Sequence, residues 1–488
     1  MNFKLYVQTK LSNPHYPPEI QAETTLINFM VTEDGLEDQL LGAVVMQERE
    51  DLAEAKNALV VSNARMKKQL TEIEDKILHL LSNASGNILD DEVLIDTLAQ
   101  SKVTSNEITE KVAEAEATEK DIDATREKYR PVATRASVLF FCISDLALVD
   151  PMYQYSLNFF MRMFNDCIVN SREPERPSAE SAVGEGGAGS DAGSDADADA
   201  DARSASGSAG SRSAGSESDD ESDDEEVKAQ KRAEALDDRL ETLMRYTTRF
   251  MFENVCRGLF EEHKLLYSFL LATSILRAAE HIELKEWSAF LRGTPLTYVP
   301  PPKPEGEDMA WLPSSTWRDV CYLERELPGA LSGFAAAVTA DPTVFRAWAE
   351  SDFPFQADLP GETEARASPF VKLALVKVFA EGKVVTAAQQ YVGVELGESF
   401  TEAPPWTLDD VFPDTDCRTP VVFILSTGAD PTAMLQRFAT KKGWVPGERL
   451  HIVSLGQGQG PVAEALVEAG QVSGDWVCLQ NCHLAKSW

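Results

Sequence analysis

Three short stretches near the C-terminal end have the spacing of nucleotide chemistry but not its charged groups. The first follows the apolar run Val421 to Leu425 and reads Ser426-Thr427-Gly428-Ala429-Asp430-Pro431-Thr432. A working phosphate loop needs G-x-x-x-x-G-K-[ST]: backbone N–H groups cradle the phosphates, the lysine neutralises them and the hydroxyl holds magnesium. This turn has one glycine and no lysine. Asp430 stands where an N-cap belongs and Pro431 where the first helical residue belongs, so the helix is expected to satisfy its free N–H groups with its own carboxylate. A carboxylate there also repels phosphate. The second stretch, Trp476 to Leu479, ends in Gln480 and Asn481, where a magnesium site and an oriented water need acidic residues. Carboxamides are neutral and replace neither a charged metal ligand nor a general base. The third, Gly456-Gln457-Gly458-Gln459-Gly460-Pro461, is spaced G-x-G-x-G after a second strand and reads as a tight turn with Pro461 opening a helix. Two independent failures predict no catalytic residue, no bound cofactor and no ATP hydrolysis in this segment.

The elements that must position these turns are a strand and a helix, twice over, then a third strand. TPVVFILSTGADPTAMLQRFA, RLHIVSLGQGQGPVAEALVEA and GDWVCLQNCH alternate short apolar runs with helical patterns, which predicts a parallel β-α-β-α-β unit. Upstream, residues 2 to 11 alternate like a strand, broken by Asn13-Pro14 and Pro17-Pro18. From residue 48 the period becomes seven: Leu52, Leu59, Met66, Ile73 and Leu80, joined by Leu70 and Ile77. After a break at Ser82 to Asn87 and a short helix near 91 to 100, Ile108, Ala115, Ile122 and Tyr129 repeat the spacing, with Val112, Glu119 and Arg126 at the intervening inward positions. Two such arms joined by a turn predict an antiparallel coiled hairpin. Residues 136 to 170 read as two apolar helices split at Asp150-Pro151, with Phe159, Phe160, Met163 and Phe164 as a core stripe.

The net charge of −35 is unevenly spread: residues 171 to 226 hold 17 acidic and 4 basic residues and no aromatic ring. Rich in Ser, Ala, Gly, Asp and Glu, this tract is expected to lack fixed structure and to be cut first in limited proteolysis. An acidic remainder disfavours nucleic acid as a partner. The seven cysteines have no framework spacing, and in Cys478-x-x-x-Cys482-His483 the two thiols share one face of a strand while His483 takes the other, which disfavours zinc. The sequon at Asn83 has no meaning without secretion. No apolar run is expected to reach the roughly 18 residues of a membrane span. Helix returns over about 232 to 292, and Pro300-Pro301-Pro302-Lys303-Pro304 reads as a stiff connector.

HIVSLGQGQGPVAEALVEA and GDWVCLQNCHLAKSW closely resemble the sixth AAA+ module of dynein heavy chains, and STGADPTAMLQRFA is similar to that module's degenerate phosphate-loop position. KLYVQTKLSNPHYPPEI, TLINFMVTEDGLEDQLLGAVV, GNILDDEVLIDTLAQSK, REKYRPVATRAS and DPMYQYSLNFF resemble the end of the fifth module and the coiled extension after it. The first and third of these lean towards axonemal chains. The resemblance implies an α/β plus α fold: incomplete AAA+ modules with a helical subdomain and an antiparallel coiled-coil hairpin. The expected organisation is the end of the fifth module at 1–47, the coiled-coil buttress at 48–130, a helical small subdomain at 131–170 and an acidic disordered insertion at 171–229. There follow the helical start of the sixth-module region at 230–299, a Pro-rich connector and divergent segment at 300–368, and a truncated sixth module at 369–488. Asn13 matches a sensor-like position, although a turn-forming Asn before Pro explains it as well.

By resemblance the chain is a mechanical element of a motor ring that relays conformational change to the stalk for microtubule-based movement. Its partners would be the rest of the heavy-chain ring and stalk and the intermediate and light chains of the parent complex. Microtubules would be reached only through other parts, and ATP and magnesium belong to the parent family. No metal, nucleic acid or membrane is expected, and the setting would be the cytoskeleton of a ciliary or flagellar axoneme. The rival readings are an active AAA+ ATPase module, a free-standing coiled-coil scaffold and a non-functional truncated gene product.

Overall fold

The computed structural model describes residues 4–7, 15–27, 31–82, 92–172, 220–402, 406–425 and 428–485. They fall into two compact units, residues 1–402 and 403–488.

The larger unit is helical. A short helix α1 (Pro18–Glu23) precedes α2 (Glu33–Glu48), whose start is fixed by the Thr32 side chain accepting from the Gly35 N–H at 3.2 Å. Glu33 and Asp34 add favourable charge to the first turn. Leu36, Leu40, Leu41, Val44 and Val45 make its buried stripe. Arg49 then turns the chain into two long helices, α3 (Glu50–Ser82) and α4 (Glu92–Glu127). These run antiparallel: Lys56 pairs with Asp123, Asn63 Nδ2 donates to Glu119 at 3.3 Å and Lys67 Nζ to Glu116 at 2.9 Å. The short helix expected near 91 to 100 is part of the continuous α4. No glycine or proline interrupts residues 92 to 127, so the helix has no reason to stop.

α5 (Arg130–Val149) and α6 (Leu157–Asn170) follow, divided at Asp150 as the sequence suggests. α5 corrects the expectation about apolar runs, because it is long and apolar enough to cross a membrane, with a mean hydropathy of 1.8. Its stripe from Val132 to Leu146 is nonetheless buried, and it packs against α2, α7 (Asp220–Cys256) and α8 (Glu261–Ala278), as a core helix does. The acidic insertion lies mostly outside the described residues; its last part, 220–229, is helical as the start of α7. Glu, Lys, Ala and Gln dominate residues 225 to 236, and their helix propensity extends the turn that α7 nucleates downstream.

Beyond α9 (Leu284–Arg292), the segment expected as a connector is packed. It forms α10 (Ser314–Glu326), α11 (Pro328–Leu331), α12 (Phe334–Ala340) and α13 (Pro342–Glu350), then α14 (Pro369–Phe379) and α15 (Val384–Leu396). Trp317, Leu331, Phe334, Phe345 and Trp348 join Phe370, Leu373 and Tyr391 in one apolar cluster. The Pro-rich segment is held to it by Trp317 Nε1 donating to the Pro301 carbonyl at 3.0 Å. The aromatic residues between 311 and 355 outweigh the prolines, because they bury far more apolar surface. The larger unit runs to residue 402.

Tyr267 of α8 is fully buried, and its hydroxyl has no hydrogen-bond partner among the described residues. Removing a polar atom that burial strips of water without recompense lowers the free energy of the folded state. Tyr267→Phe is therefore expected to leave stability unchanged or raise it by up to about 1 kcal/mol, read as the urea midpoint; a loss above that would reveal a partner for the hydroxyl.

The smaller unit contains α16 (Leu408–Val411), α17 (Thr432–Lys441), β1 (Leu450–Ser454), α18 (Gly460–Ser473) and β2 (Trp476–Gln480). β1 and β2 pair in parallel, from Leu450 opposite Trp476 to Ser454 opposite Gln480. The three-stranded sheet expected here is two-stranded among the described residues. Val421 to Leu425 has no ladder partner, and Val422 and Ile424 are 77% and 60% exposed. A run apolar on both faces suits a strand with neighbours on both edges and covered faces, and β1 and β2 spend their shared edge on each other. Residues 4–7 are likewise exposed and outside any strand, and the rest of 2–11 lies outside the described residues.

Candidate functional site

The candidate site is the carboxyl edge of the β1–β2 pair, where strand ends meet the first turn of α17. Parallel pairing brings the ends of both strands to this edge. The amino ends are anchored by Trp444 and Trp476, stacked with ring centroids 4.9 Å apart, and by Trp444 Nε1 donating to the Gly474 carbonyl at 3.2 Å. Arg449, immediately before β1, donates to Asp475, immediately before β2, at 3.0 Å. Hydrogen bonds from Ser473 and from Arg449 hold the Asp475 carboxyl below its usual range.

At the carboxyl edge, Gln480 Nε2 donates to Thr432 Oγ1 at 2.9 Å. Asp430 accepts the Thr432 backbone N–H at 2.8 Å, and the Thr432 hydroxyl followed by that N–H lowers its carboxyl below the usual value. Asn481, in the left-handed region at φ 58°, donates from Nδ2 to Ser454 Oγ at 2.9 Å. The helix begins one residue later than expected, with Pro431 as the N-cap and Thr432 first in the helix. Asp430 nevertheless binds a first-turn N–H, as its type suggests. Gly428 has φ +88° and Ala429 precedes Asp430 without a lysine; Ser426 and Thr427 lie outside the described residues. Gly456 to Pro461 forms the turn into α18, Gly458 taking φ +76°.

This donor set does not fit ATP with magnesium. The carboxamides at 480 and 481 point their N–H groups at hydroxyls of the protein itself, and Asp430 sets a negative charge at the helix N-terminus where phosphate would need a positive one. Cys478 is half-buried in β2, burial raising its thiol pKa, and Cys482 Sγ donates to the Leu479 carbonyl at 3.4 Å. Among the described residues no three His, Cys, Asp or Glu side chains gather as a metal site would need.

The second group of candidate residues lies between α3 and α4. Leu52, Leu59, Met66, Leu70, Ile73 and Ile77 on one helix, and Ile108, Val112 and Ala115 on the other, are half-buried; Ile122 and Tyr129 are buried, and the Leu80 side chain is outside the described residues. Sequence reasoning missed Lys56 and Asn63, which complete an alternating four-and-three spacing from 52 to 77 and face Asp123 and Glu119. The signal was present in that spacing, masked by their polarity. Also missed were the arginines at the root of the pair. Arg130 binds Glu37 at 2.7 Å and Asp38 at 3.1 Å, and Glu48 accepts both Arg239 at 2.9 Å and Arg172 at 3.3 Å.

With this geometry in place, two family profiles match parts of the chain. One described as ATP-binding dynein motor region matches residues 1–108, and one described as dynein heavy chain region D6 P-loop domain matches residues 416–488. The chain is a homologue of the axonemal dynein heavy chains, about 40% identical over its full length. It is 39% identical to human dynein axonemal heavy chain 6 and 40% identical to human dynein axonemal heavy chain 1, with the whole chain covered. Mouse dynein axonemal heavy chain 3 matches at 36% over the whole chain. The chain spans about a tenth of the length of these relatives, 11% of the first and 10% of the others.

Proposed function

We propose that this chain is a structural, force-transmitting segment of an axonemal dynein motor ring, without nucleotide turnover of its own. The observation that carries the reading is the engagement of Gln480 and Asn481 with Thr432 and Ser454, which occupies with neutral amides the edge where metal and phosphate would be held. Homology to dynein heavy chains supports a place in the motor region, in the cytoskeleton of a cilium or flagellum. ATP and magnesium would act in other modules. The partners would be the rest of the heavy chain and the intermediate and light chains of its complex, microtubules being reached through other segments. Titration of the purified 488-residue chain with ATP and magnesium is expected to give neither binding heat nor phosphate release. Magnesium-dependent turnover that vanished on mutating residues 428 to 432 would overturn the reading in favour of an active ATPase.

Within that segment, α3 and α4 act as the coiled-coil buttress that relays ring movement to the stalk. The cross-helix contacts at Lys56, Asn63 and Lys67 support this, since they fix one antiparallel register in which Met66 lies opposite the stretch from Ala115 to Glu119. Cysteines placed at 66 and at 115 or 119 are expected to crosslink within one chain. Predominantly intermolecular products would show that the arms pair between chains. Met66→Asp is expected to loosen the arms.

A further inference from the structure

We propose that Gln480, Thr432 and Asp430 form an intramolecular latch that stands in for a nucleotide, holding the end of β2 against the first turn of α17. The proposal rests on the reading of a ring segment without nucleotide turnover and gives the replaced residues a task within it. Donors and acceptors run in one direction. The Gln480 amide donates to Thr432 Oγ1 at 2.9 Å, which leaves the Thr432 O–H to donate to Asp430, and Asp430 also accepts the Thr432 N–H at 2.8 Å. Bonds in such a series polarise one another. Position 480 must supply a donor for this, which a carboxamide has and an ionised carboxylate lacks. Glutamate there would also set a second negative charge toward Asp430.

The neighbouring residue closes the other side. Asn481 is one of two non-glycine residues with positive φ among the described residues, and that turn aims its Nδ2 at Ser454 Oγ, 2.9 Å away at the end of β1. Adjacent amides therefore tie β2 both to β1 and to α17. In a nucleotide-driven switch, such segments are joined while the γ-phosphate is present and released on hydrolysis. Here the joining groups are covalent parts of the chain, so the three segments stay one body through any cycle elsewhere in the ring.

The test is hydrogen exchange with mass-spectrometric readout on the full chain, with and without ATP and magnesium, comparing Gln480→Leu, Thr432→Val, their double and Gln480→Glu. Each single variant is expected to raise exchange of the amides at 432 to 435 and 479 to 482 about two- to ten-fold, as loss of one hydrogen bond does. The double should add little to the larger single effect, because the bonds act in series. Gln480→Glu keeps the side-chain shape and should lose protection likewise, so misfolding of the leucine variant does not decide the matter. Unchanged exchange in Gln480→Leu and Gln480→Glu overturns the latch, as does a strictly additive double. Protection of the unmutated chain by ATP with magnesium overturns the underlying reading, and with it the latch as a replacement for nucleotide, whatever the variants show.

Discussion

Arg239→Ala is expected to destabilise the larger unit by about 2 kcal/mol, less than breaking a fully buried ion pair costs, because both side chains are partly exposed and Arg172 stays on the carboxylate. Arg239 donates to both oxygens of Glu48, at 3.1 and 2.9 Å, and to Ser171 through its carbonyl at 2.8 Å and its hydroxyl at 3.0 Å. The Glu48 side chain is only 11% exposed, so loss of its principal partner strands a charge away from water with Arg172 as the remaining cation. Urea unfolding of the helical signal measures the effect. Replacing the pair together, Glu48→Gln with Arg239→Met, should cost less than Arg239→Ala alone because no carboxylate is left short of its principal partner and the freed Arg172 is half-exposed to water. A double variant as damaged as the single would show that packing of the arginine stem, not charge, holds the node.

The same carboxylate sets an acid limit. Burial raises the Glu48 pKa, but hydrogen bonds and charge from Arg239, with those of Arg172, outweigh it and hold the group below the usual carboxylate range. A depressed carboxyl stabilises the fold above its unfolded pKa and loses that contribution as pH falls through the folded value. The wild-type chain should therefore weaken below about pH 4.5 more steeply than Glu48→Gln, as urea midpoints across that range would show.

Phe252→Ala should cost about 3 to 5 kcal/mol. Phe252 is 1% exposed, lies 4.8 Å from Phe400 and 5.9 Å from Tyr267 by ring centroids, and so joins α7 and α8 to the 3-10 turn Glu398–Phe400. Truncation leaves a cavity that these aromatic neighbours, themselves buried, cannot collapse to fill. Leu296→Ala, at a side chain 93% exposed, is the control and should stay within about 0.5 kcal/mol. Equal losses at the two positions would contradict the packing described.

Local chemistry was legible and distant pairing was not. The Asp430 turn, the turn from Gly456 to Pro461 and the break at Asp150 follow from capping and φ preferences of a few adjacent residues, and they stand within a residue of their expected places. The neutral amides at 480 and 481 could be read as unfit for metal, but their partners Thr432 and Ser454 lie 48 and 27 residues away and no local pattern points to them. The strand at 421 to 425 failed for the complementary reason: an apolar run states that a segment wants burial, not which edge will pair with it. Trp311, Trp317 and Trp348 point to packed structure after the Pro-rich stretch, and all three join the apolar cluster there, but their type does not say which helices they pack between. Lys56 and Asn63 escaped notice because on the first arm the seam was traced through its apolar residues, although polar Glu119 and Arg126 were read as inward on the second.

The Glu48 node also fixes what an insertion costs. Arg172 closes the segment before residues 173 to 219 and Arg239 lies on the helix that resumes after them, yet both reach one carboxylate, and α6 and α7 pack together. The two ends are thus held together by contacts among Glu48, Arg172 and Arg239. For a tract with the composition of a chain lacking fixed structure, closure entropy grows with the logarithm of length, each doubling costing only about 0.6 kcal/mol. Deleting half of the tract, or lengthening it twofold, should leave the helical body almost indifferent, and residue number at this point is free to drift between related chains at little thermodynamic cost.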